Sequence, residues 1–151
     1  MIKPDFFTKI SSNPTTEHSR EEKEEQEITS SLSDLFNKLY QLPDKIQFCH
    51  HNTTSYAKHM ALDRTYNSLV EMKDEIVEKL IGYTGQRIKT LTLGTISSYT
   101  EELPKQLAQE IIDFGNQLEE YGEENGYCDI ENLAQSYAGV GSQLNYLLTL
   151  S

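Results

Sequence analysis

The residues best suited to chemistry are His59, Asp63, Asp74 and Glu78, all within SYAKHMALDRTYNSLVEMKDEIVEKLIGYTG, residues 55–85. Imidazole and carboxylate together suit iron, manganese or zinc, and a centre with open positions admits oxygen or peroxide. In the same segment Leu62, Tyr66, Leu69, Ile76, Val77, Leu80 and Ile81 recur at steps of three and four, the mark of an amphipathic helix. On a helical wheel His59 falls within about 20° of Tyr66, near the middle of that stripe, while Asp63, Asp74 and Glu78 gather along one flank. Distance along the axis limits what they can do together. His59 and Asp74 stand 15 residues apart, about 22 Å at the helical rise, too far to share one ion within a single chain. If His59 and Asp63 form one half of a metal site and Asp74 and Glu78 the other, the halves meet only when two copies of this helix pack antiparallel about a two-fold axis. The competing reading is plainer. A histidine on an apolar face is then a satisfied core residue, and acids four apart are a solvated helix edge.

The spacing H-x3-D-x10-D-x3-E, closing on Gly85, resembles the second helix of the mini-ferritins, the DNA-protection-during-starvation (Dps) branch of the ferritin superfamily. That resemblance implies an iron-oxidation site between two subunits, histidines from one and acids from the other, in a hollow dodecamer. In the family a further histidine closes the first helix, in a His-Trp pair. Here Gln47 holds the strictly spaced position, and a loop shortened by three residues puts His50 in the role with His51 in place of the tryptophan. The implied ligand set is therefore His50, His59 and Asp63 from one subunit with Asp74 and Glu78 from its mate. The segment HHNTTSYAKHMAL, residues 50–62, is also similar to small ferritin-like proteins of tailed bacteriophages.

Four helices must position these residues. Ile28, Leu32, Leu35, Leu39, Leu42 and Ile46 keep one phase, so a first helix is expected to about Phe48, with a kink or one-turn break near Gln41 because Pro43 lies within it. After the HHNTT turn, Thr54 or Ser55 is the expected N-cap of the second helix. QRIKTLTLGTISSYTEE, residues 86–102, has no sustained period and reads as a crossover spanning the helices, a strand pair around Ile88 to Leu93 being the alternative. Pro104 suits the first turn of a third helix, where Leu107, Ile111, Phe114, Leu118 and Tyr121 form a core stripe ending at GEENG. Asp129 is expected to cap a fourth, carrying Ile130, Leu133, Tyr137, Val140, Leu144 and Leu147. Gly139 and Gly141 within it suggest close contact with another helix or subunit. The expected fold is all-α, a ferritin-like four-helix bundle with a long crossover between helices two and three, with residues 28–151 as the domain and residues 1–27 as a polar N-terminal arm.

Composition narrows the function classes. The formal charge is −11, which argues against nucleic-acid backbones and favours cations around any enclosed cavity. The mean hydropathy is −0.59, acceptable for helices with wide polar faces. Cys49 and Cys128 form no C-x2-C pair, so reduced thiols in a cytosol, bacterial or phage-infected, are expected. No apolar run reaches membrane-spanning length, and the start of the chain lacks a signal peptide's hydrophobic region. In the arm, Phe6, Phe7 and Ile10 form a small apolar cluster, SREEKEEQE is a solvated run, and His18 is read as exposed. No Glu-x-x-His occurs in the second or fourth helix, so a di-iron centre inside one bundle is not expected. Glycine-rich phosphate loops and recognisable nucleophiles are missing too. Cys49 reads as a small core or interface residue, since neighbouring side chains on a helix point apart.

Two readings follow. One is a ferroxidase with iron, or zinc or manganese, bound between subunits of a homo-oligomer built from two-fold dimers. The other is a non-catalytic ferritin-like assembly or interaction protein with a vestigial metal site.

Overall fold

A computed structural model of the chain describes residues 15–96 and 98–151, the side chains of residues 15, 16 and 25–30 excepted. The fold is all-α: α1 Thr15–Asn52, α2 Tyr56–Thr84, α3 Leu103–Asn125 and α4 Cys128–Leu148. Among the described residues there is no strand, so the strand pair considered around Ile88 to Leu93 does not form.

The chain divides into two compact units, Met1–Leu32 and Ser33–Ser151. In the first, helix begins at Thr15 and residues 17–24 are exposed. Its polar run is a single helical surface carrying His18–Glu22 and Arg20–Glu24 pairs, each at 3.2 Å. Such exposed pairs are worth only a few tenths of a kcal/mol each. Phe6, Phe7 and Ile10 lie outside the described residues.

The second unit holds the core. From α1, Leu35, Leu39, Leu42 and Ile46 are buried; from α2, Leu62, Leu69, Ile76 and Leu80. From α3 come Leu107, Ile111, Phe114 and Leu118, and from α4 Ile130, Ala134, Tyr137 and Leu144. α1 runs through Pro43 without interruption, so the expected one-turn break is missing. Pro43 is itself buried, and the fully buried Leu39, Leu42 and Ile46 on either side hold the helical phase across the lost donor.

Helix directions follow from cross-contacts. The end of α1 lies against the start of α2, as His50 stacks on His59. Lys73 of α2 stands 4.7 Å over the ring of Tyr40, back along α1, so the two run antiparallel. α3 and α4 are antiparallel too, joined at Gly126, whose φ of 70° is the left-handed cap that glycine accepts without strain. Lys58 near the start of α2 bonds Glu101 at the start of α3 (2.7 Å), and Tyr83 at the end of α2 stacks 4.2 Å from Tyr127 just past α3. α2 and α3 are therefore parallel, and the link between them returns along the full helix length. It is tied to α1 on the way, where Gln41 Nε2 donates to the Thr92 carbonyl and the Thr92 amide donates to Asn37 Oδ1.

Two expectations change in detail. The fourth helix is capped at Tyr127 with no side-chain bond. Asp129 instead lies in the first turn, where its charge suits the helix dipole and meets Lys79 at 3.2 Å. On α2, Tyr66, Val77 and Ile81 are only half-buried, so the apolar stripe is narrower than the sequence suggests and these three sit on its outer flank.

Candidate metal centre

The turn between α1 and α2 is built so that two histidines meet. α1 ends where Asn52 Nδ2 donates to the Phe48 carbonyl (2.8 Å) and the Thr53 amide donates to the Cys49 carbonyl (3.0 Å), satisfying end carbonyls locally. Ser55, with φ −87° and ψ 121°, caps α2, its Oγ accepting from the Lys58 amide at 3.3 Å. The first backbone bond of α2 is His59 N–H to Ser55 O at 2.9 Å, so the cap also fixes where His59 stands.

His50 and His59 then lock each other. Their rings stack with centroids 3.9 Å apart and an interplanar angle of 27°. His59 Nδ1 lies 3.1 Å from the His50 carbonyl, and His50 Nδ1 lies 3.2 Å from the His59 carbonyl. A carbonyl only accepts, so each Nδ1 carries a hydrogen, and a ring in its neutral form then presents its lone pair at Nε2. Neither Nε2 has a hydrogen-bond partner among the described residues. Both reach solvent, since Tyr137 Oη is the one buried, unpartnered side-chain polar atom found there. An Nδ1–H held by a backbone carbonyl, with Nε2 open, is how histidine is prepared as a metal ligand. His51 is exposed and meets His50 edge-on at 5.2 Å.

Each residue proposed from the sequence has a definite place. It is His50, not Gln47 or His51, that faces His59. His59 is half-buried, at the edge of the core instead of the middle of the stripe. Asp63, one turn further, is half-buried, and Asp74 and Glu78 are exposed on the same helix. None of the three carboxylates has an ion pair among the described residues, and the two lysines flanking Asp74 and Glu78 are engaged elsewhere, Lys73 over Tyr40 and Lys79 on Asp129. The structure thus brings His50 to His59 and leaves Asp74 and Glu78 further along α2. Among the described residues of one chain no three ligating side chains converge on a common point.

Cys49, adjacent to His50, is fully buried, and burial pushes its thiol up to about 11. It is a neutral core group, neither a ligand nor a nucleophile at neutral pH.

Sequence reasoning missed a second polar cluster. Glu110 of α3 accepts from Lys38 (2.9 Å) and Lys45 (3.0 Å) of α1 through one oxygen. Burial raises its carboxyl, but the two lysine bonds outweigh that and leave it below the ordinary range. The available signal was Lys38 and Lys45 at an i, i+7 spacing on one strip of α1. Beside this cluster Tyr137 is fully buried, edge-on to Phe114 at 5.4 Å.

Residues 50–148 match the model of a family of unknown function, DUF5856. The chain belongs to that family. The DUF5856 span opens at His50 and contains all five proposed ligands together with α2, α3 and α4 entire. No curated protein and no solved structure matches the chain. Among the described residues no helix is long and apolar enough to cross a membrane.

Proposed function

We propose that this chain is a Dps-like iron-binding protein with a ferritin-like four-helix bundle, oxidising Fe(II) at a site shared by two subunits and storing the ferric product in a homo-oligomeric cage. Its place is the cytosol of a bacterium or a phage-infected host, with neither nucleic acid nor membrane as a partner. The observation that carries the reading is the reciprocal lock of His50 and His59, which holds two imidazoles side by side with both Nε2 atoms open. The helix order supports it as well, two antiparallel pairs joined by a link that returns along the helices.

In this reading Fe(II) is the substrate. His50 and His59 supply neutral nitrogen donors already oriented, so little side-chain ordering remains to be done on binding. Asp63, with Asp74 and Glu78 of a second copy, supplies negative charge that favours the higher charge of Fe(III). Two Fe(II) give up one electron each, and a hydrogen peroxide accepts both as its O–O bond breaks, its two oxygens taking up two protons from solvent and leaving as water. Zinc or manganese suits the same donors without that step. The second reading, a non-catalytic ferritin-like assembly, is favoured by the lack of any three converging ligands among the described residues of one chain.

Protein purified without chelator separates the two. The first reading expects close to one iron or zinc per subunit, lost in a His59→Ala, Asp74→Ala double variant. A metal-free oligomer that consumes Fe(II) no faster than buffer would remove it.

A further inference from the structure

We infer that the groove between α2 and α4 is the seat of a second copy of this chain, held by reciprocal Arg64–Glu71 ion pairs across a two-fold axis. The inference rests on the proposed antiparallel meeting of two α2 helices and adds the contact that sets their register.

The groove encloses about 580 Å³, its α2 wall formed by Ala57, Met60, Arg64, Ser68 and Glu71 and its α4 wall by Leu147. Its end by the start of α2 is apolar and open, with Met60 at 48% and Leu150 at 62% exposure. Further along α2 it is charged. Arg64 and Glu71 are both exposed, and among the described residues neither has an ion-pair partner. Seven residues apart, they lie within about 20° of each other on the wheel yet about 10 Å apart along the axis, so they cannot pair within one helix. An antiparallel second copy presents the same two groups in reverse order, and each then meets its opposite twice over. A parallel copy would set arginine against arginine.

The register comes from a separate observation. Opposing His59 to Glu78 and Asp63 to Asp74 of the copy centres the pair between Ser68 and Leu69. In that register Glu71 of the copy lies two residues, about 3 Å, from the point facing Arg64, well within the reach of an arginine. Lys73, which occupies the facing point, is turned to the Tyr40 ring on the other side of α2. Met60 and Ala57 on α2 line the same groove as Arg64 and Glu71, giving the contact apolar area beside its charges.

The test is sedimentation of the full chain and its charge-swapped variants Arg64→Glu, Glu71→Arg and the double swap. Wild type is expected to self-associate at micromolar concentration. Each single swap is expected to weaken association by about tenfold or more, since it replaces two attractive contacts by two repulsive ones. The double swap restores it, which no general surface effect would do. Both positions are exposed, and circular dichroism checks that every variant keeps its helices. A monomeric wild type, single swaps that leave the mass unchanged, or a double swap that fails to restore it would each overturn the inference. The two proposals fail separately. Swap and rescue in a protein that binds no metal sinks the iron reading alone, while a metal-loaded oligomer indifferent to the swaps sinks this one alone.

Discussion

Gly141 and Gly139 stand two residues apart on α4, and replacing each by alanine is expected to change stability in opposite directions. A Cβ at Gly141 would lie 2.6 Å from the Ala108 carbonyl oxygen, 2.9 Å from Ile112 Cγ1 and 3.0 Å from Ile111 Cβ. The first neighbour is backbone, so relief requires α3 and α4 to separate by several tenths of an ångström. Overpacking of this kind costs about 3 kcal/mol, and the better helix propensity of alanine offsets about 1 kcal/mol of it. The net loss is about 2 kcal/mol, or about 4–8 °C in Tm for a chain of this size. At Gly139 a Cβ meets nothing within 4 Å, so only the propensity term survives and Gly139→Ala gains about 0.5–1 kcal/mol. Urea unfolding followed by far-ultraviolet circular dichroism measures both variants on one scale. A Gly141→Ala variant as stable as wild type, or two variants shifting in the same direction, would refute the argument that α3 and α4 are in backbone contact there.

Removing the charge of Glu110 tests the second polar cluster. Glu110→Gln is expected to cost about 1–2 kcal/mol at neutral pH, a discounted figure because the carboxylate is partly exposed. Its carboxyl sits below its ordinary value near 4.5, so its contribution is complete above that value and is lost as pH falls through the folded one. Wild type and variant should therefore converge in stability as pH falls below about 4.5, as thermal melts through the acid range would reveal; a gap that is constant or widens toward acid contradicts the assignment. Tyr137→Phe removes a buried hydroxyl that has no partner, and equilibrium unfolding should find it unchanged or more stable by about 1 kcal/mol. A loss above about 1 kcal/mol would mean that the hydroxyl is bonded in solution.

The parts of the fold that followed from sequence are those where local chemistry and long-range packing agree. In α3 the stripe from Leu107 to Tyr121 is buried throughout, bounded by Pro104 and by Gly126 in a left-handed conformation. Ser55 and Gly85 close α2 at both ends for the same reason. Where only tertiary contact decides, sequence was silent or misleading. The helical stretch over residues 17–24 carries no apolar rhythm, and all eight of its residues are exposed. Gly139 and Gly141 look alike in sequence, yet only Gly141 lies against another helix. Asp129 has the composition of a cap, but the chain enters α4 through Tyr127 instead. At the candidate centre, the spacing of His59, Asp63, Asp74 and Glu78 was readable from helical geometry, whereas the His50–His59 lock was not. It depends on backbone carbonyls brought face to face by a turn whose shape no periodicity encodes.

Subunit mixing tests most directly whether one metal site is shared between two chains. His59→Ala and Asp74→Ala are each expected to bind little metal and to oxidise Fe(II) slowly when assayed alone. Dissociated, mixed in equal amounts and reassembled, they form hybrid dimers in which one of the two sites regains every ligand. With random pairing about a quarter of all sites should recover. A mixture that binds no more metal than its two components assayed separately would contradict the shared site.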